Sequence, residues 1–176
     1  MNNATKREKG MSLGLSIEPQ LQLARSGTTY SDIPQFNPWW TSFSVCIGVR
    51  PAYSFSDKFN IGLSFDNFFQ RPYTVLMMQT YLGFGASLTF SRVVPIFLNA
   101  DLGYSFWYYP GNEMFNSLWE SSGPGYSLSL GYQFLKRFSI AAHFYNSFPQ
   151  KPDENILIQN YTFGIRFTYK VRRPDQ

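Results

Sequence analysis

The feature of the sequence that most constrains its fold is a strict two-residue alternation near its end. From 161 to 171, every odd position is large and apolar or aromatic, and every even position is small or polar. The odd positions are Tyr161, Phe163, Ile165, Phe167, Tyr169 and Val171, and the even ones are Thr162, Gly164, Arg166, Thr168 and Lys170. Because successive side chains of a β-strand point to opposite faces, this pattern predicts a strand with two chemically different faces.

The same alternation recurs in earlier segments. We predict strands over 11–24, 39–55, 59–70, 73–90, 95–108, 126–134 and 138–148, with 161–171 as the eighth strand. Pro19 predicts a bulge or an edge-like defect in the first strand, because proline has no backbone N–H to donate. Short links separate strands two to five and strands six and seven, and longer loops follow strands one, five and seven. An even number of strands with this arrangement predicts an antiparallel up-and-down barrel.

The residue types indicate which face of the barrel meets lipid. The polar face is mostly Ser, Gly, Thr, Asn and Ala, which suit the narrow interior of an eight-stranded barrel. A soluble barrel with an apolar interior is the alternative, but its outer face would be rich in Lys and Glu. Aromatic residues make up 19% of the chain and charged residues 15%, and no apolar run approaches the ~20 residues of a transmembrane helix. We therefore predict a transmembrane β-barrel with its apolar face outward and a polar interior filled by side chains.

The ends of the chain are predicted to lie outside the barrel. Residues 1–10 are expected to form a flexible periplasmic tail, 11–171 the barrel and 172–176 a C-terminal tail. The net charge of +4 is partly concentrated in these ends, which indicates solvated tails rather than a nucleic-acid surface. The first ten residues lack the apolar core of a secretory signal, so we expect this form to be one without its signal peptide.

The alternation places seven ionisable side chains on the inner face of the barrel. They are Glu18, Arg50, Asp66, Asp101, His143, Arg166 and Lys170. Because buried charges need partners, this near-balanced set predicts a network of ion pairs and hydrogen bonds that plugs the lumen. A narrow gated polar path is the alternative. Large side chains in the same phase favour the plug: Tyr73, Tyr81, Phe97, Trp107 and Tyr145.

No catalytic, cofactor or metal site is predicted. The chain has one histidine, His143, and its mid-strand position places it inside the barrel, away from a lipid substrate. Cys46 is the single cysteine and is interpreted as a small interior residue, so neither a disulfide framework nor a cysteine metal cluster is possible. Zinc-ligand spacing, a phosphate-binding glycine loop and a nucleophile elbow are all missing from the sequence.

Two parts of the sequence resemble known outer-membrane barrels. The segment 162–169 is similar to the β-signal read by barrel-assembly machineries, although seven residues follow it. Its signal positions are Thr162, Gly164, Phe167 and Tyr169. The hairpins 53–62 and 131–139 resemble those of the PorT-like "outer membrane protein beta-barrel domain" family of Bacteroidetes. This resemblance implies a barrel of OmpX-like size in the bacterial outer membrane, in a group that includes members linked to secretion or assembly complexes.

The functional hypothesis is a non-enzymatic barrel that acts as a scaffold or accessory subunit of an outer-membrane complex. A narrow pore and a surface-ligand-binding barrel of adhesion type are the alternatives. Expected partners are outer-membrane lipid and lipopolysaccharide, the assembly machinery during biogenesis and another outer-membrane protein, with no nucleic acid. An aromatic interface belt or a partner-contact surface would explain one set of aromatic and apolar residues: Trp39, Trp40, Tyr109, Met114, Phe115, Leu118 and Trp119.

The partner-contact hypothesis predicts the result of a loop deletion. Removing residues 114–119 should leave the barrel folded, because the segment lies between predicted strands, and should abolish binding of the partner protein, because exposed apolar clusters mark contact sites. Co-purification from native membranes measures the binding. Unchanged co-purification after the deletion would reject the hypothesis.

Overall fold

A computed structural model describes residues 10–28, 35–36, 40–56, 58–70, 77–90, 95–108, 121–134, 137–148, 150–151 and 156–172. It contains eight long strands and two strands of two residues. In chain order these are β1 (Gly10–Thr28), β2 (Gln35–Phe36), β3 (Trp40–Ser54), β4 (Phe59–Gln70), β5 (Met77–Thr89), β6 (Ile96–Tyr108), β7 (Ser121–Gln133), β8 (Phe138–Ser147), β9 (Gln150–Lys151) and β10 (Ile156–Arg172). Within these ranges, no helix is long and apolar enough to cross a membrane.

The long strands close into an antiparallel barrel. Each pairs with the next long strand along the chain, and β10 pairs back with β1 from Ser12↔Arg172 to Thr28↔Ile156. The short strands β2 and β9 only extend the ladders of their neighbours. Closure matters because unpaired backbone groups are costly in hydrocarbon, and a closed barrel has no unpaired edge. The predicted eight-stranded up-and-down barrel is therefore confirmed.

One rim of the barrel is made by short connections. The links β3–β4, β5–β6 and β7–β8 lie there, together with the first residue of β1 and the last residue of β10. We call this end of the barrel the tight-turn rim. In the first link, Ser56 Oγ accepts hydrogen bonds from the backbone N–H groups of Lys58 and Phe59 at 3.2 and 3.1 Å. The longer connections lie at the opposite end, the loop rim.

Prolines interrupt two ladders without inserting a residue. The β1–β10 pairing passes from Ile17↔Phe167 to Gln20↔Gly164 in one register and leaves out Glu18 and Pro19. The β3–β4 pairing likewise leaves out Arg50 and Pro51 and keeps its register. The bulge predicted at Pro19 is therefore not seen. The local loss of pairing is seen, as expected for a residue without a backbone N–H.

Several strands extend farther toward the loop rim than the sequence pattern predicts. β1 continues to Thr28 instead of ending at 24, β7 begins at Ser121 instead of 126, and β10 begins at Ile156 instead of 161. Backbone pairing needs no apolar face, so ladders continue where the alternation fades. Polar side chains also link these extensions, since Arg25 Nε donates to Gln159 Oε1 at 2.8 Å.

The outer wall of the barrel is apolar on every long strand. Among the described residues, thirty-two large hydrophobic side chains are exposed, with Phe43 and Leu102 reaching 73%. Soluble monomers rarely expose a contiguous apolar patch above a few hundred Å². The inner face of the same strands is buried and mostly polar. An apolar outer face with a polar buried interior is the reverse of a soluble barrel. It confirms the predicted transmembrane barrel and excludes the soluble alternative.

Ile47 provides a direct test of the lipid-facing wall. It lies at the middle of β3 with 52% of its surface exposed. Ile47→Arg should lower the free energy of unfolding by about 2–4 kcal/mol in a bilayer, because the charge enters hydrocarbon near the midplane. Ile47→Leu is the matched control and should change it by less than about 1.5 kcal/mol. Urea titration of the barrel refolded in lipid vesicles measures both, and equal stabilities would contradict the assignment of this face to lipid.

Candidate functional site: the barrel lumen

Glycines on the inner face make room for the three buried acids. A Cβ added to any of three glycines would overlap a carboxylate oxygen on a neighbouring strand. The pairs are Gly48 with Asp66, Gly85 with Asp101 and Gly164 with Glu18. Two of these pairs are directly opposite in the strand register. The lumen therefore holds its acids in spaces that small residues provide.

Arg166 is the centre of the lumen charge network. Its Nε donates to Glu18 Oε2 at 2.8 Å, and its Nη2 donates to Asp66 Oδ2 at 3.3 Å. Both carboxylates are completely buried, and Arg166 is 3% exposed. His143 joins the same cluster, with Nδ1 2.6 Å from Glu18 Oε1 and 3.1 Å from Arg166 Nη2. Each buried charge thus meets an opposite charge, which offsets the cost of its desolvation.

Arg50 extends the network toward β6. It forms an ion pair with Asp66 and a second with Asp101 at 3.2 Å, and its Nη1 donates to Ser64 Oγ at 2.8 Å. Ser127 Oγ also donates to Asp101, at 2.8 Å. Six of the seven predicted interior residues are therefore linked in one network: Glu18, Arg50, Asp66, Asp101, His143 and Arg166. The seventh, Lys170, lies nearer the tight-turn rim and lines a cavity there.

Large side chains fill the lumen on the loop-rim side of the network. Phe68 stacks on Tyr145 at 4.9 Å between ring centroids, and Tyr81 meets Tyr145 edge-on at 5.0 Å. Trp107 is fully buried as well. We call Phe68, Tyr81, Trp107 and Tyr145 the aromatic plug. Tyr81, Trp107 and Tyr145 were predicted to face the interior. Of the other two predicted interior aromatics, Phe97 lines the cavity near the tight-turn rim, and Tyr73 lies outside the described residues.

A set of amide side chains accompanies the aromatic plug. Gln79 Nε2 donates to Tyr145 OH at 2.7 Å, and Asn160 Nδ2 donates to Gln79 Oε1 at 3.2 Å. Gln22 Nε2 donates to Asn160 Oδ1 at 2.6 Å and Gln22 Oε1 accepts from Ser42 at 2.9 Å. These amides and Phe68 are not among the predicted site residues, although the alternation places Gln22, Gln79 and Phe68 on the inner face. They fill the lumen without carrying a charge, so the search for ionisable groups does not find them.

The histidine and the cysteine of the lumen are both buried. His143 is buried and engaged with Glu18 and Arg166. Cys46 is buried beside Phe68, Tyr81 and Tyr145. In the part of the chain that the structure describes, no group of three or more His, Cys, Asp or Glu residues is placed to hold a metal ion. The charged side chains of the lumen network pair with one another.

The remaining predicted residues lie on β10 or near the loop rim. On β10, Thr162 and Gly164 face inward and Phe167 and Tyr169 face outward; their β-signal role stays a prediction. Trp40 is the first residue of β3. The other members of the predicted contact surface lie outside the described residues: Trp39, Tyr109, Met114, Phe115, Leu118 and Trp119.

Solved structures share this fold at low sequence identity. Neisserial surface protein A is 13% identical with a TM-score of 0.57, covering 89% of this chain and 97% of its own. The Yersinia pestis outer membrane protein Ail in a phospholipid nanodisc is 13% identical with a TM-score of 0.50, covering 90% and 99%. The outer membrane protein AlkL in lipid bilayers is 8% identical with a TM-score of 0.51, covering 100% and 96%. No protein-family model matches the sequence, and no curated protein sequence matches it.

A double-mutant cycle tests the central ion pair. Glu18→Gln and Arg166→Gln should each lower the free energy of unfolding by about 3–5 kcal/mol, because each leaves a buried charge without its main partner. The double variant should cost less than the sum of the two, since it leaves neither charge behind. Urea unfolding in vesicles measures all four proteins. Additive costs would show that the two side chains stabilise the barrel independently.

Proposed function

We propose that this chain is a non-enzymatic integral protein of the bacterial outer membrane, and that it acts as a scaffold or accessory subunit of a membrane complex. Its lumen stays closed, and it contacts its partners through the loop rim and the lipid-facing wall. Its partners are outer-membrane lipid and lipopolysaccharide, the barrel-assembly machinery during biogenesis, and another outer-membrane protein.

The filled lumen is the observation that carries the proposal. The aromatic plug and the amides occupy the loop-rim half, and the charge network crosses the middle. Phe68, Tyr81, Trp107 and Tyr145 are each at most 1% exposed. A solute crossing the barrel would have to displace these rings and separate buried ion pairs. A barrel closed in this way has its two rims and its outer wall available for function.

The location in the outer membrane is supported by the fold and by the resemblance of the sequence. Closed barrels with a lipid-facing apolar wall are the architecture of that membrane. Ail and AlkL, which share the fold, are described as outer membrane proteins. The β-signal-like segment on β10 and the PorT-like hairpins support the same location and a role beside a secretion or assembly complex.

Purification in a mild detergent tests the accessory-subunit role. The tagged chain should leave native outer membranes with stoichiometric partner proteins, identified by mass spectrometry. Ile47→Leu on the lipid-facing wall is a control that should retain them. Isolation of the chain alone, with its barrel still folded, would contradict the role.

Conductance across a planar bilayer tests the closed lumen. The natural chain should be silent. The double variant Trp107→Ala/Tyr145→Ala should conduct small ions, because it removes two rings of the aromatic plug. Phe163→Ala, which shortens an outward aromatic on β10, should stay silent. Steady conductance by the natural chain would overturn the closed-lumen proposal and favour the narrow pore.

A further inference from the structure

The tight-turn half of the lumen contains a cavity of about 120 Å³. We call it the rim chamber. Three cationic side chains line it: Arg50, Arg166 and Lys170. Its other lining residues are neutral, and no acidic side chain is among the described residues that line it. Inside a barrel of low dielectric, a space lined by one sign of charge attracts the opposite sign.

The charge network holds the arginines of the rim chamber in place. Glu18, Asp66 and Asp101 contact the guanidinium groups but do not line the chamber. The network therefore presents its arginines, and not its acids, to the rim chamber. The arginines are fixed before a ligand arrives, so binding costs little side-chain entropy.

Donor groups remain unused on these arginines. Arg166 Nη1 and Arg50 Nε are buried, and neither has a hydrogen-bond partner among the described residues. Asn99, which also lines the chamber, has a buried Oδ1 without a partner among the described residues, and this acceptor calls for a donor such as a water molecule. A buried donor without a partner is costly, so such groups indicate a missing ligand or water. Arginine N–H groups are matched to carboxylate and phosphate oxygens.

The rim chamber is large enough for a small ion and lies near an opening. Its volume corresponds to roughly four water molecules at about 30 Å³ each. Its lining includes Ser12, Ser54 and Asn60, which lie at the strand ends of the tight-turn rim. Access from the loop rim is blocked by the aromatic plug. A ligand would therefore enter from the tight-turn side.

We propose that the rim chamber is a binding site for a small oxyanion, a phosphate- or carboxylate-bearing solute held by Arg50, Arg166 and Lys170. The site goes beyond the proposed scaffold function and does not depend on it. The anion accepts hydrogen bonds from the donors that the acids leave unused on the two arginines. The barrel thereby gains a ligand site that opens to one side of the membrane only.

Isothermal titration of the full chain in detergent micelles tests the proposal. The probes are sodium phosphate and sodium succinate, each at constant ionic strength set with chloride. At least one should bind saturably with a stoichiometry of one. Binding of only one of the two probes identifies the oxyanion group that the site prefers. Binding of each probe in its own titration indicates a general oxyanion site. Absence of saturable heat with both probes would overturn the proposal.

Matched charge variants locate the binding. Lys170→Gln should weaken it about tenfold or more, because it removes one charge-assisted hydrogen bond. Ala52→Asp, which adds an acid to the chamber lining, should abolish it. Lys58→Gln removes the same charge from an exposed position at the same rim, outside the chamber lining, and should leave binding unchanged. If Lys58→Gln and Lys170→Gln weakened anion binding equally, the anion would be attracted by the overall charge of the rim and not held in the chamber. That result would overturn the proposed site.

Discussion

The pairing of the first long strand with the last is the interaction on which the rest of the structure depends. It covers most of β1 and β10, and it turns a row of hairpins into a closed cylinder. In lipid an open edge would expose a line of unpaired backbone groups. Closure also creates an inside, and only there do Glu18 on β1 and Arg166 on β10 meet. The apolar wall and the charged lumen both follow from this pairing.

The lumen is divided along its length into zones of different chemistry. Neutral amides and the aromatic plug fill the loop-rim half, the charge network crosses the middle, and the rim chamber occupies the tight-turn half. The interior of an eight-stranded barrel is just wide enough to be filled by side chains. Because large rings fill the loop-rim half, the open space lies in the tight-turn half. The lumen is therefore asymmetric between the two ends of the barrel.

Much of this structure was predictable from the sequence because one alternation governs it. The phase of Arg166 or Asp66 alone indicates that each faces the lumen, and barrel closure then brings them together. The extra length of β7 was not predictable, because Ser121–Gly125 has the residues of a turn. Its pairing comes mainly from the β6 ladder, with single pairs to β8 and β9. The sequence also did not show that the arginines, and not the acids, line the rim chamber. That depends on how far each side chain reaches, and the alternation reports only the face on which it lies.

The position of the central ion pair links the two ends of the barrel sequence. Glu18 and Arg166 are 148 residues apart, on the first and last strands of the barrel. Until β1 and β10 pair, neither side chain has this partner, whichever strand forms first. Closure therefore completes the backbone ladder and the ion pair in the same step. An open form of the barrel lacks both contacts, so closed and open molecules differ sharply in stability.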